Sequence, residues 1–254
     1  FYAGSRTTDA EAVGRRVTAM LGEGVDIIDV GAYSSRPGAA DVSPEEEYER
    51  LARGLEVVRR GAPEAVVSVD TFRASVARKA VSGFGPLIIN DISGGALDDD
   101  MFETVAELGV PYIMMHMRGT PADMQQHCDY DSLASDILAE LGERLGRLTL
   151  MGVSDIIVDP GFGFSKTLAQ NYELLASLPL FALFHRPLLV GLSRKSMATR
   201  LLGIDTADAL NATTVLNTLA LDRGASILRV HDVAAARQAV DIFTATTDFG
   251  SIDK

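Results

Sequence analysis

Seven short apolar runs, each ending in a polar group and each separated from the next by an amphipathic helical stripe, predict an α/β protein built as a TIM-type (β/α)8 barrel. The runs are VDIIDVG at 25–31, AVVSVDT at 65–71, LIINDI at 87–92, YIMMHM at 112–117, DIIVDPGFGF at 155–164, PLLVGLSRKS at 187–196 and SILRVHD at 226–232. Continuous Val, Ile and Leu fit parallel strands covered on both faces. Polar groups at one end of every run fit the face where such barrels place their catalytic loops.

The helices follow in order. The first stripe runs from about Asp9 to Leu21, with no strand before it. Ser43, Pro44 and Glu46 then form a capping-box pattern with proline in the first helical position, opening a helix to about Arg60. Within it Tyr48, Leu51, Leu55 and Val58 recur at three- and four-residue spacing, one stripe to lay on a sheet. Further stripes span about Val76 to Val81, Met101 to Leu108, Leu133 to Leu150, Tyr172 to Leu178, Ala209 to Leu221 and Val233 to Phe243.

A closed barrel needs eight strands, and only seven are visible from Val25 onward. Phe1 follows no initiator methionine, and Phe1 to Arg6 reads like the descending part of a strand-to-helix loop. The expectation is a first strand lying before the sequence given. The alternative is an open seven-stranded sheet with bare strand edges. No Pro/Gly/Ser linker or low-complexity tract interrupts the alternation, so residues 1–254 read as one domain.

Composition narrows the function. Thirty-five acidic against 23 basic residues give a formal charge of −12, which repels nucleic acid and anionic membranes over most of the surface. Cys128 is the only cysteine, so neither an intrachain disulfide nor a cysteine cluster for zinc is available, and a reducing cytoplasm is the natural compartment. No apolar stretch approaches the roughly 20 residues that span a bilayer.

Chemistry concentrates at the run ends. Asp70 and Asp159 each close an apolar run, where a carboxylate needs hydrogen bonds or the mouth of the barrel. With Asn90 they suit the N–H edges of a flat heterocycle such as a guanine or pterin, since a carboxylate accepts two parallel hydrogen bonds. The ordinary fate of one such aspartate is a helix cap. Cations recur in Ser35-Arg36-Pro37-Gly38, Ser193-Arg194-Lys195-Ser196 and Arg229-Val230-His231. Singly each reads as a solvated surface residue; together, in an acidic chain, they read as a pocket for phosphate or carboxylate. Strand alternation puts Arg229 and His231 on one side, facing one anion. Asp159-Pro160-Gly161-Phe162-Gly163-Phe164 lacks the spacing of a dinucleotide fingerprint and is expected to expose a phenylalanine at the mouth. His127 and His185 read as surface or packing residues, and His116 is open to either face.

In this order SRPG, SVDT, IIND, MHM, DPGFGF, GLSRKS and RVHD resemble dihydropteroate synthases along essentially the whole chain. The resemblance implies a transferase of folate biosynthesis. It condenses 6-hydroxymethyl-7,8-dihydropterin pyrophosphate with p-aminobenzoate to 7,8-dihydropteroate and pyrophosphate, and is a target of sulfonamides. By motif it implies a pterin site of Asp70, Asn90, Met115, Asp159, Lys195 and Arg229, and a pyrophosphate site of Asn90, Arg229 and His231. The p-aminobenzoate site it implies comprises Phe1, Ser35, Arg36, Pro37, Phe164, Gly191, Lys195 and Ser196. Asp70, Lys195, Arg36 and Ser35 carry the catalysis in this reading. Mg2+ is the implied cofactor, its asparagine ligand lying before residue 1, and a homodimer through the late helices is the implied assembly. Tyr33 and Ser35 stand where many members carry an acidic residue and a threonine, and the proline frequent after SVDT is absent here. The rivals are a methyltetrahydrofolate-dependent corrinoid methyltransferase, which needs none of the anion-binding tokens, and a non-catalytic pterin-binding paralogue.

Overall fold

The computed structural model describes residues 9–34 and 42–248. Five parallel strands pair in sequence order: β1 (Ile27–Gly31), β2 (Val66–Asp70), β3 (Ile88–Asp91), β4 (Tyr112–Met115) and β5 (Ile156–Asp159). Two more, β6 (Leu189–Val190) and β7 (Ile227–Leu228), pair in parallel, and a bridge from Val158 to Leu188 joins them to β5. The described strands thus form one run of seven in chain order, the strand succession of a TIM-type barrel.

Around them lie α1 (Ala10–Gly22), α2 (Pro44–Gly61), α3 (Ala74–Phe84), α4 (Met101–Leu108), α5 (Leu133–Leu150), α6 (Leu168–Ser177), α7 (Ser196–Leu202), α8 (Leu210–Asp222) and α9 (Val233–Thr247). The caps are legible. Asp9 accepts from the Ala12 N–H at the start of α1, and Ser43 accepts from Glu46 at the start of α2, with Pro44 in the first turn. Thr167 and Gln170 form a reciprocal capping box at α6 that the sequence reading passed over. The stripe expected from Tyr172 begins at Leu168 for that reason. At α3, where the family proline is absent, no side chain of the first turn caps the helix; Asp98, from the loop after β3, accepts from the Ala74 N–H at 2.8 Å.

Alternation divides the apolar residues into two layers. Outward-facing Ile28, Val67, Val69, Ile89, Tyr112, Met114, Ile156, Val158 and Val190 pack against Leu51, Leu55, Val76, Ala77, Met101, Val105, Ile137, Leu141 and Leu174 of the helices. Burying each large aliphatic here contributes about 1.5 to 3 kcal/mol. Inward-facing Ile27, Ile88, Ile113, Ile157, Leu189 and Ile227 form a separate cluster inside the strand ring. That inner layer is the floor on which the next layer stands.

Between β7 and β1 the described strands share no ladder. Side chains link the two sides instead. Arg237 of α9 donates to the Gly24 carbonyl and to Asp26, Arg16 of α1 donates to the His231 carbonyl, and Arg229 reaches Asp29. No described helix is long and apolar enough to cross a membrane.

Candidate active site

Two residues beyond the inner apolar layer, the same strand faces present Asp29, Asp70, Asn90, Met115, Asp159, Gly191 and Arg229. The step is the pleat itself: Ile27 to Asp29, Ser68 to Asp70, Ile88 to Asn90, Ile113 to Met115, Ile157 to Asp159, Leu189 to Gly191 and Ile227 to Arg229. Pairing of Gly31 with Asp70 and of Asp70 with Asn90 sets the acid and the amide side by side. A Cβ at Gly31 would stand 3.1 Å from that of Asp70, so the glycine leaves the aspartate its room.

Arg229 ties this layer together. Its Nε donates to Asp29 Oδ2 at 2.7 Å and its Nη2 to Asp70 Oδ2 at 2.9 Å. Asp29 also accepts from Ser68 Oγ at 2.6 Å and more weakly from Asn90 Nδ2 at 3.3 Å. Burial works against the Asp29 charge, but Arg229, Ser68 and Asn90 outweigh it and hold its pKa below the ordinary value. The two aspartates differ because one guanidinium serves both. Burial pushes Asp70 up to about 7, Arg229 opposing the shift and the Asp29 charge adding to it. The Arg229 side chain remains 47% exposed, within reach of an anion at the mouth.

In IIND the face is now assigned. Asn90 looks into the mouth, whereas fully buried Asp91 accepts from the Ser93 N–H and Oγ, the Gly95 N–H and the Tyr112 hydroxyl, shaping the loop after β3. Met115 lies at the mouth among Ile92, Met117, Met124 and Phe164.

The loop after β5 departs from expectation. Phe162 and Phe164, expected to leave an aromatic exposed, are 1% and 5% exposed. The loop folds inward because Gly161, Ser165 and Gly163 all adopt left-handed backbone angles, and a Cβ at Gly161 would collide with the His116 carbonyl oxygen. Phe164 then joins the methionine cluster, with the Lys195 ammonium 5.0 Å from its ring centre. Asp159 is 6% exposed and accepts from the Gly161 N–H at 2.8 Å. Burial raises its pKa against the pull of Lys195, Arg229 and Lys166.

Beyond β6, Lys195 donates to the Phe162 carbonyl and precedes α7, with Ser196 exposed at that helix start. Burial lowers Lys195 to about 8, with Asp159 resisting. Arg194, read as one of the anion-pocket cations, instead turns inward with φ of 50°. It pairs bidentately with Asp232 at 2.8 and 3.0 Å and donates to the Thr206 and Ala207 carbonyls. It fixes the loops after β6 and β7 to each other. His231 is held by Ser193, whose Oγ accepts its backbone N–H and lies 2.9 Å from Nδ1. Burial and then Arg229 lower it to about 4, so His231 presents a neutral imidazole rather than a second cation at neutral pH.

Phe1, Ser35, Arg36 and Pro37 lie outside the described residues. The described flanks of the 35–41 stretch are anchored. Tyr33 packs edge-on to Phe72 at 5.0 Å, and Arg73 donates to the Val42 carbonyl while pairing with buried Glu47. Among the described residues no three His, Cys, Asp or Glu side chains converge to hold a metal ion, and Asp29 and Asp70 are both engaged by Arg229.

Sequence reasoning missed Asp29 and Lys166. Asp29 sits inside its run rather than at the end, yet it follows Ile27 by the inward-facing step of two. Lys166 gave no signal beyond ending a glycine-rich loop. Its Nζ is buried against His116, Gly161 and Phe164.

The pterin binding enzyme family matches residues 1–231. The chain belongs to the pterin binding enzyme family. Among its relatives is the mitochondrial folate synthesis bifunctional protein of Arabidopsis thaliana, 41% identical over 92% of this chain and 45% of that protein. The Escherichia coli dihydropteroate synthase is 40% identical over 89% of this chain and 80% of that one. A solved Yersinia pestis dihydropteroate synthase in complex with a sulfonamide drug superposes with a TM-score of 0.88 at 37% identity, covering 94% of this chain and 86% of that one. The chain spans about half the length, or less, of the bifunctional relatives it matches. The strands of this chain follow the succession of a TIM-type barrel, and their C-terminal ends hold the acid, amide and cation groups described above.

Proposed function

We propose that this chain is a dihydropteroate synthase, a transferase that joins the 7,8-dihydropterin methylene to the amine of p-aminobenzoate and releases pyrophosphate. The observation that carries the reading is the mouth layer: Asp29, Asp70, Asn90 and Asp159 around one guanidinium, Arg229, with Lys195 above the Phe164 ring. A flat heterocycle with N–H donors finds carboxylate and amide acceptors there. A diphosphate finds Arg229 and His231 at the rim.

In the reaction the C–O bond between the pterin methylene and pyrophosphate breaks, and the oxygen keeps the electron pair. Asp70 faces the positive charge left on the methylene, and Arg229 faces the negative charge gained by the leaving diphosphate; both are electrostatic assistance to the transition state. The arylamine lone pair then forms the C–N bond, and the nitrogen passes its proton to the departing pyrophosphate or to water. Lys195 supplies a charge suited to the p-aminobenzoate carboxylate and is seated over the buried Phe164 ring, with Gly191 and Ser196 at the same rim and Ser35, Arg36 and Pro37 assigned there by motif.

Magnesium remains part of the proposal only as an ion that would accompany the diphosphate; no step above depends on it. Sulfonamides, as p-aminobenzoate mimics, are the expected inhibitors. A homodimer is proposed through α7, α8 and α9, supported by exposed Leu201, Leu202, Val215 and Ile242 on those helices, and light scattering should give twice the chain mass. A cytoplasmic setting fits the lone cysteine.

The test is pyrophosphate release from 6-hydroxymethyl-7,8-dihydropterin pyrophosphate with and without p-aminobenzoate. Release that depends on the arylamine, with dihydropteroate as the co-product, supports the synthase. Pterin binding without arylamine-dependent release refutes it in favour of a methyltransferase or a silent pterin binder.

A further inference from the structure

Below the loop after β5 lies a circuit of five charged or titratable side chains that the reaction does not use. Lys166, 3% exposed, directs Nζ at the Gly161 and Phe164 carbonyls, both at 3.0 Å, and at His116 Nδ1 at 3.1 Å. Three acceptors match the three N–H bonds of an ammonium. His116, fully buried on the strand exit of β4, places Nε2 3.1 Å from Glu140 Oε2 of α5. With Nδ1 accepting from Lys166, Nε2 must carry the proton and donate to Glu140. Glu140 in turn accepts from Arg118 Nε at 2.8 Å and from its Nη2, and Arg118 lies 4.0 Å over the Tyr130 ring. Tyr130 closes the circuit by donating to the Ser165 carbonyl at 3.0 Å.

The loop needs such support. Gly161, Gly163 and Ser165 all have left-handed backbone angles, and Ser165 has no glycine exemption from the strain. Each carbonyl that Lys166 grips belongs to a residue next to a functional group: Gly161 gives its N–H to Asp159, and Phe164 carries the ring beside Lys195.

We propose that Lys166 is a positioning residue for the heterocycle and arylamine sites: as an ammonium held by His116 and Glu140, it locks the loop that aims Asp159 and Phe164. The inference rests on the proposed pterin site and adds to it a buried control point outside ligand contact.

Protonation makes the lock testable. Burial lowers Lys166 to about 7, with Asp159 resisting, the nearby Lys195 lowering it further, and Glu140 and Cys128 raising it. His116, which also feels Arg144 of α5, is lowered by burial to about 4 and stays neutral across this range. As pH rises through neutrality Lys166 therefore loses an N–H and its charge, one carbonyl or His116 loses its donor, and Asp159 loses a neighbouring cation. Pterin affinity should weaken in the same window. Lys195 titrates nearby at about 8 and Asp70 at about 7, so variants must separate the three.

The experiment is calorimetric titration of the intact protein with 6-hydroxymethyl-7,8-dihydropterin across the neutral range. It is run on the unaltered chain, Lys166→Met and Glu140→Gln, with far-ultraviolet circular dichroism on each. Lys166→Met should weaken binding about tenfold to a hundredfold, the scale of a small misplacement in a site, and flatten the alkaline fall that remains in the unaltered chain. Glu140→Gln keeps an acceptor for His116 but removes the charge that favours the Lys166 ammonium, so the fall should move to lower pH. If Lys166→Met does not fold, Glu140→Gln decides: an unmoved pH profile overturns the inference. Binding by the unaltered chain that Lys166→Met leaves unchanged in strength and pH profile overturns it too. No pterin binding by the unaltered chain overturns the function reading itself and this inference with it.

Discussion

Arg229 serves two carboxylates, and the imbalance between them is what gives Asp70 a proton to exchange near neutrality. Asp29 has Ser68 and Asn90 as extra donors; Asp70 shares only the guanidinium. Folding therefore leaves Asp70 the softer acid, raised to about 7 by burial. As pH falls through that value Asp70 takes up a proton, and the negative charge that the proposed reaction sets against the pterin methylene disappears. Turnover should show an acid limb near neutrality that Asp70→Asn removes along with most of the rate; a profile with no acid limb would contradict the role given to Asp70. Asp159 is the second case. Asp159→Ala strips a charged acceptor from the heterocycle and should weaken pterin binding by about 2 to 3 kcal/mol in calorimetry, the range for hydrogen bonds to charged groups. Unchanged affinity would remove Asp159 from the site.

At the scale of elements, what the sequence revealed depended on periodicity. Asp70, Asn90, Asp159 and Arg229 were visible because an apolar run stops at them, and the pleat then delivers all four to one face. Asp29 escaped because the run continues to Val30, although counting by two from Ile27 finds it. The loop after β5 escaped for a different reason. Its path is set by three left-handed residues and by Lys166, contacts that come from β4 and α5 and leave no local pattern. Arg194 was misjudged for the same cause, since its partner Asp232 lies 38 residues on. The start of α3 is a further example, capped from the loop after β3 by Asp98. Asp98→Ala should cost about 1 kcal/mol in urea unfolding, as lost helix caps do, and no change would show that solvent replaces it fully.

For the whole molecule, buried histidines set a limit on acid tolerance. His116 and His231 are both held neutral, lowered to about 4 mainly by burial. The unfolded chain takes up protons at both from about 6.5 downward, while the native state does so only near 4, so their contribution is full above the higher value and drains away between the two. Asp70, raised to about 7, works in the opposite direction over the same interval, so the histidine contribution is read as a difference: His116→Gln should make the thermal midpoint less sensitive to acid than in the unaltered chain. A Tm profile that His116→Gln leaves unchanged across the interval would mean that this histidine gains its proton without cost in the folded state.

The inner cluster of Ile27, Ile88, Ile113, Ile157, Leu189 and Ile227 has a consequence for traffic. Among the described residues it closes the strand interior from below, so a molecule resting on it is expected to enter and leave at the polar end of the strands. Whatever lodges deepest arrives first and departs last, and a companion seated nearer the opening becomes its cork. A pulse-chase of bound pterin should show slower escape once p-aminobenzoate sits above it, and equal escape rates would mean the well has a second door.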